Sequence, residues 1–210
     1  KAVGFMRPTS IHPVTPDEAV RVVKSGDHIH FSSVAMTPLC LVEALCRRGR
    51  TGELQDVHVH HLHTEGPAPY ADRDFEGIFQ LESFFVGANV RAQTQQGYAD
   101  YIPVFLGETQ RLYREKYLPC DVAMIQVSPP DDRGFVSLGT SVDATLAAIE
   151  TAHTVIAVLN PHVPFTYGDA VISLDRIDIF VEDDAPLQIG HFPEPNATEK
   201  AIGRRCAALI

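Results

Sequence analysis

Positive charge is scarce in this sequence of 210 residues: 17 lysines and arginines stand against 27 aspartates and glutamates, a net charge of −10. Nucleic-acid binding needs a basic stripe for its phosphate contacts, so no nucleic-acid partner is expected. The acidity does not forbid an anionic ligand, because a helix N-terminus can bind one locally. Cysteine is sparse as well. Cys40, Cys46, Cys120 and Cys206 are scattered without a CxxC pair, which points to reduced, buried thiols of a cytoplasmic protein rather than a disulfide framework. No run approaches the roughly 18 apolar residues of a membrane span, so no membrane partner is expected. The opening Lys1-Ala2-Val3 leads into mixed sequence, not a signal peptide. A GxSxG elbow and a linked Ser-His-Asp arrangement are missing, which argues against a self-contained serine hydrolase.

What is present is an ordinary globular balance, 45% hydrophobic and 21% charged. The length suits one large domain or a domain and a half, able to bury roughly 70–75% of its unfolded surface. Residues 125–168, IQVSPPDDRGFVSLGTSVDATLAAIETAHTVIAVLNPHVPFTYG, organise the rest. An apolar strand from about 122 to 127 stops at Ser128-Pro129-Pro130-Asp131-Asp132, where two prolines lack N–H donors and Asp-Asp favours a turn. Gly134 supports re-entry into a short strand over 135–138. Ser141 suits an N-cap and Asp143 a first helical turn, and Val142, Leu146 and Ile149 recur at helical spacing, predicting a helix over 142–152. Residues 154–159 form a near-continuous apolar run, as buried parallel strands do. Polar loop residues gather at its carboxyl end, where open α/β sheets bind ligands.

Earlier in the chain, Thr15-Pro16-Asp17-Glu18 is a capping box with proline at the first helical position, predicting a helix over 16–25 with Gly26 as its stop. A core strand over 27–33 follows. Thr37-Pro38 repeats the cap-and-proline start, predicting a helix over 38–48 that ends at Gly49. Residues 57–63 alternate apolar and histidine and read as a strand. Four histidines there invite a metal reading. His58 and His60 share one face of the strand, with His61 and His63 in the opposite phase. Zinc wants ligands converging from more than one element, so no metal is expected. Short strands are predicted over 83–86 and 101–105, a polar helix around 91–96, and a helix over 108–117 whose Arg111, Arg114 and Lys116 form a solvated basic face. Two strands are predicted over 170–174 and 177–181. Residues 187–197 carry Pro193 and Pro195 in a polar stretch and read as a linker. A last helix begins at Thr198, with Ile202, Cys206 and Leu209 as its apolar stripe.

Strand and helix alternate throughout, which predicts a three-layer α/β domain with a mostly parallel sheet. The polar turns at carboxyl strand ends are the candidate ligand contacts: Ser33, Thr64, Gly87, Ala88, Asn89, Gln126, Gly134, Ser137, Asn160 and Thr166. Pro129, Pro130 and Pro164 read as loop-shaping residues.

VSPPDDRGFVSLGTSVD followed by NPHVPFTYGD resembles the acetyl-CoA hydrolase/transferase family, which includes the 4-hydroxybutyrate and butyrate CoA-transferases. GPAPYAD at 66–72, FFVGANVR at 84–91, ADYIPVFLGE at 99–108 and AIGRRCAALI at 201–210 extend the resemblance over nearly the whole chain. Ser32 and Ser33 stand where the family usually carries glycines. The resemblance implies a CoA-transferase-like (sugar-isomerase-like) fold, with an N-terminal domain over 1–186, a linker over 187–197, and the start of a second domain over 198–210. It implies acyl-CoA and a small carboxylate as partners, coenzyme A as the carried group without a metal, and a homo-oligomer. The glutamate nucleophile of the family lies in its second half, so no catalytic residue is assigned here. An acyl-CoA hydrolase and a non-catalytic ligand-sensing domain of the same fold are the alternatives.

Overall fold

The structure, a computed structural model, describes residues 12–190 and 193–210. Residues 1–11 of the expected first domain and 191–192 of the expected linker lie outside the described residues. In chain order the elements are α1 (Pro16–Ala19), β1 (His28–Phe31), α2 (Leu39–Arg50), β2 (Val57–His61), β3 (Phe79–Ser83), α3 (Arg91–Gln96), β4 (Ala99–Tyr101), α4 (Thr109–Arg114), β5 (Val122–Val127), β6 (Phe135–Ser137), α5 (Thr145–Thr151), β7 (Thr154–Leu159), β8 (Val171–Ser173), β9 (Ile179–Glu182) and α6 (Ala197–Ala207).

Seven strands form one sheet in the order β4-β3-β2-β1-β5-β7-β9, every neighbouring pair parallel. β6 and β8 form a separate antiparallel pair. The fold is the expected three-layer α/β domain. Every residue of β5 is buried, and β7 is buried after its first. Their side chains alternate between two cores. Met124, Ile156 and Val158 pack with α2 and the Leu41–Leu45 stripe. Ala123, Ile125, Val127, Val155 and Ala157 pack with Ala144, Ala147 and Ala148 of the α5 region and with Tyr113 of α4. Each large aliphatic side chain so buried contributes about 1.5–3 kcal/mol.

From β1 the chain winds outward through β2, β3 and β4, then returns beside β1 as β5 and winds the other way. Right-handed crossovers in opposite directions place their helices on opposite faces, which is why α2 and α5 cover different sides. The reversal between β1 and β5 is the switch point of the sheet, and the crevice at its carboxyl end is the expected ligand position.

Several predicted elements are displaced. The first helix has one α turn, capped by the Thr15–Glu18 box as expected, then tightens into a 3-10 turn at Val20–Val22. β-branched residues there are poor helix formers, and Arg48 donates to the carbonyls of Val20 and Val23 instead of letting the helix continue. Thr37 does not cap α2: its hydroxyl donates back to Val34 O at 2.7 Å, and Pro38 stands at the cap. Gly49 does not stop that helix. A Cβ at Gly49 would lie 2.8 Å from the Phe79 ring, so the glycine permits close helix–sheet packing. The strands expected over 83–86 and 101–105 start earlier, at Phe79 and Ala99, because cross-strand register to β2 selects them. α4 is shorter than expected, with Lys116 at φ 60 behind it. α5 starts at Thr145, not 142, and Ser141 does not cap it; Asp143 Oδ1 accepts from both the N–H and the hydroxyl of Thr145 at 3.1 Å. The four cysteines are free; Cys46 and Cys120 are buried as expected, whereas Cys40 is only partly buried and Cys206 is exposed. Burial pushes the Cys46 and Cys120 thiols up to about 12, which makes them inert. No helix among the described residues is long and apolar enough to cross a membrane.

Candidate functional site

The loop 32–37 leaves β1 at the switch point and is held from both sides. The Gln126 N–H donates to Ser32 Oγ at 3.2 Å, and that hydroxyl donates to Met36 O at 2.6 Å. Val34, half exposed at φ 54, bridges Thr64 of the loop after β2. Ser33 is fully buried beside it, and its hydroxyl has no partner among the described residues.

On one side of this loop, Thr64 is buried with its hydroxyl 3.2 Å from Tyr70 Oη. Asn89 donates through Nδ2 to Thr64 O at 3.0 Å and to Gly66 O at 3.1 Å, which ties the turn after β3 to the loop after β2. Gly87 is buried in that turn; a Cβ there would meet Asn89 Oδ1 at 2.8 Å. Ala88 is exposed at the tip. His63 stacks on Phe85 with centroids 5.4 Å apart, and its Nε2 lies 3.2 Å from Glu65 Oε1. This imidazole–carboxylate pair is partly open to solvent at the carboxyl end.

On the other side, Ser137 and Thr166 interlock. Ser137 Oγ accepts the Thr166 N–H at 3.0 Å and the Gly139 N–H at 3.1 Å, and donates toward Thr166 O at 3.0 Å. The Thr166 hydroxyl donates to Gly139 O at 2.6 Å. Ser128 Oγ accepts the Ser137 N–H at 2.9 Å, which closes the turn after β5. Gly139, at φ 64, is sealed by Val163 and Met36, where a Cβ would come within 2.8 Å of the Met36 sulfur. Met36 belongs to the β1 loop, so the two sides of the crevice meet there. Gln126 and Asn160 are buried and bonded to each other at 3.1 Å. Gly134, at φ 81, serves the turn before β6, where Leu174 donates to its carbonyl; no bond joins it to the Ser137–Thr166 pair.

A cavity of about 620 Å³ opens at the carboxyl ends of β5, β7 and β9, lined by Pro129, Pro130, Leu159, Pro161 and the acids Glu182, Asp183 and Asp184. These acids follow directly on the strand predicted over 177–181 and are not among the candidate ligand contacts read from the sequence. Burial first, then the neighbouring Asp183, push the Cys40 thiol at the start of α2 up to about 12. The basic residues of α4 are engaged elsewhere: Arg111 pairs with Glu108 and Glu115, and Arg114 with Glu150.

Comparison with known proteins comes to one family. The model of the acetyl-CoA hydrolase/transferase N-terminal domain matches residues 12–189. A succinyl-CoA:acetate/propanoyl-CoA:succinate CoA transferase of Fasciola hepatica is 40% identical over 81% of this chain and 35% of its own length. A 4-hydroxybutyrate coenzyme A transferase of Clostridium kluyveri is 37% identical over 94% of this chain and 46% of its own. The chain thus spans between a third and a half of the length of these curated relatives. Among solved structures, RipA of Yersinia pestis superposes with a TM-score of 0.87 at 28% identity, covering 93% of this chain and 48% of that one. A 4-hydroxybutyrate CoA-transferase of Porphyromonas gingivalis gives 0.74 at 28% identity, covering 94% and 45%.

Proposed function

The chain belongs to the acetyl-CoA hydrolase/transferase family through that family's N-terminal domain, and from this we propose that it is the N-terminal part of a CoA-transferase moving CoA between an acyl-CoA and a small carboxylate. The observation that carries the reading is the interlock of Ser137 with Thr166. These residues sit in the two motifs with the most specific family resemblance, and their bonds hold both loops rigidly at the carboxyl end of the switch point. Residues 1–186 act as the first domain, 187–197 as a linker and 198–210 as the start of a second domain.

In this reading the nucleophile is a glutamate outside this chain. Its carboxylate oxygen attacks the thioester carbonyl; a C–O bond forms, the C–S bond breaks, and CoA leaves as thiolate. The thiolate then attacks the glutamyl carbonyl of the anhydride, releasing the first acyl group as its carboxylate and leaving a glutamyl-CoA thioester. The acceptor carboxylate attacks that thioester, and CoA returns to the new acyl group as the glutamate is freed. Covalent catalysis of this kind divides one hard step into easier ones. The contribution of this domain is a wall that binds the acid and excludes water. Ser33, Thr64, the 87–89 turn, Gln126, Gly134, Ser137, Asn160 and Thr166 shape that wall; Ala88 is its exposed member, and Asn89, Gly134 and Thr166 are partly exposed. The free cysteines fit a cytoplasmic enzyme, and we read the full-length enzyme as a homo-oligomer.

The test is an acetyl-CoA plus carboxylate assay on residues 1–210 and on the chain extended through a second domain. Exchange by the extended chain only, with hydroxylamine trapping of a glutamyl thioester beyond Ile210, is the expected result. Turnover by residues 1–210, trapped at one of their own glutamates, would refute the domain assignment. CoA release without acyl transfer would make the enzyme a hydrolase with water as acceptor.

A further inference from the structure

Three adjacent strands bring a cluster of metal-ligating side chains to the sheet face covered by α4 and α5. His28 opens β1, His60 lies on β2, and Glu82 lies opposite His60 on β3. His28 Nδ1 is 3.1 Å from His60 Nε2, and His60 Nε2 is 2.7 Å from Glu82 Oε2. One ligand atom from each of the three lies within 4.8 Å of the other two. Sequence alone argued against a metal because His58 and His60 share one strand. The ligands that converge with His60 come from the two flanking strands, and nothing local in the sequence links positions 28, 60 and 82.

We propose that His28, His60 and Glu82 form a divalent transition-metal site, taking zinc or an ion of similar ligand preference with water in the fourth position. Two imidazoles and a carboxylate suit such ions, and bonds of about 2.0–2.1 Å hold tetrahedral ligands about 3.3 Å apart. The two separations to His60 Nε2, 3.1 and 2.7 Å, lie within about 0.6 Å of that spacing, and the three ligand atoms all lie within 4.8 Å of one another, so side-chain adjustment without backbone movement would close the site. The three ligands sit on hydrogen-bonded strands, a rigid scaffold. His28 is only partly buried, which leaves a route for the ion and for the water ligand. His58 supports both outer ligands: its ring stacks on His28 with centroids 4.3 Å apart at 12°, and its Nδ1 lies 3.3 Å from Glu82 Oε1. Oriented ligand carboxylates of this kind are a regular feature of metal sites.

One feature of the cluster sets its strength. His60 Nδ1 is buried and has no partner among the described residues. An ion on Nε2 leaves the imidazole proton on Nδ1, where nothing accepts it. Outer-shell partners of this type are worth about 10–100-fold in affinity. The site is therefore labile, stripped by a chelator, and does not hold the fold together.

The test uses untagged protein, stripped with a chelator and dialysed, then titrated with ZnCl2 by calorimetry and with CoCl2 by visible absorption. The expected result is one equivalent bound, with the intense bands of low-coordinate Co²⁺. Glu82→Gln and His28→Asn should each weaken binding about tenfold or more while circular dichroism is unchanged. An anomalous-scattering map of a zinc-soaked crystal covers the case in which a variant misfolds, and should place the ion between His28, His60 and Glu82. Absence of stoichiometric binding, binding undiminished in both folded variants, or an ion located elsewhere overturns the proposal.

Discussion

Asn160, at the end of β7, donates through Nδ2 to the Gln126 side-chain oxygen on β5 at 3.1 Å and to the Ala185 carbonyl at 2.9 Å. Its Oδ1 accepts the His162 N–H at 2.9 Å. Gln126 in turn reaches the Ala35 carbonyl in the β1 loop at 3.4 Å. Two buried amides thus join four chain segments around the switch point. Each reads in sequence as a polar turn residue facing a ligand; in the fold they hold one another.

Asn160→Ala should destabilise the domain by about 1–3 kcal/mol, because it strands the buried Gln126 amide oxygen and the Ala185 carbonyl. Urea unfolding measures this as a lower midpoint at unchanged slope. A midpoint equal to that of the parent chain would show that the amide network carries no stability.

The sheet was legible where burial is two-sided. β5 and β7 are apolar without interruption, and such runs have few other places to go. β3 was not, because Phe84-Phe85-Val86 is more apolar than Phe79–Ser83, and the choice between them is made by register with β2. A long-range ladder leaves no local trace in sequence. Gly49 misled for a related reason: its smallness answers the Phe79 ring, not a helix end. At the site, the motif residues Ser137 and Thr166 were legible as candidates from composition and resemblance. Their mutual bonding was not, nor was the acidic wall of Glu182, Asp183 and Asp184, because both depend on which strand ends the topology places side by side.

Ser137→Ala should be costlier than its single lost hydroxyl suggests. The N–H groups of buried Gly139 and of partly buried Thr166 both lose their acceptor. Each stranded donor costs about 1–3 kcal/mol. The loop carrying Thr166 should then loosen, and hydrogen exchange of the Thr166 and Gly139 amides should speed up ahead of global unfolding. Unchanged protection at both amides would remove Ser137 from its place as the hub of these loops.

The fully buried imidazoles of His30 and His61 contribute to the acid sensitivity of the domain. Burial pushes both down to about 3. Above their ordinary value of about 6.5 both are neutral in the folded and unfolded chain alike, and they add no pH dependence. Between about 6.5 and about 3 the unfolded chain takes up protons that the folded chain refuses, so stability falls as the pH falls through this window. The two residues differ in what they leave behind. His30 is bonded to Tyr113 Oη at 3.0 Å and to Thr145 Oγ1 at 3.1 Å, whereas neither ring nitrogen of His61 has a partner among the described residues. Replacing an unsatisfied buried group by an apolar one removes its desolvation cost of about 1–3 kcal/mol. His61→Leu should therefore raise the melting temperature at pH 7, and it should flatten the fall in stability toward pH 4 by one proton's worth. Thermal unfolding of both proteins across this pH range measures the two effects together. A lower melting temperature at pH 7 with an unaltered acid slope would mean that a His61 nitrogen is satisfied in the folded protein.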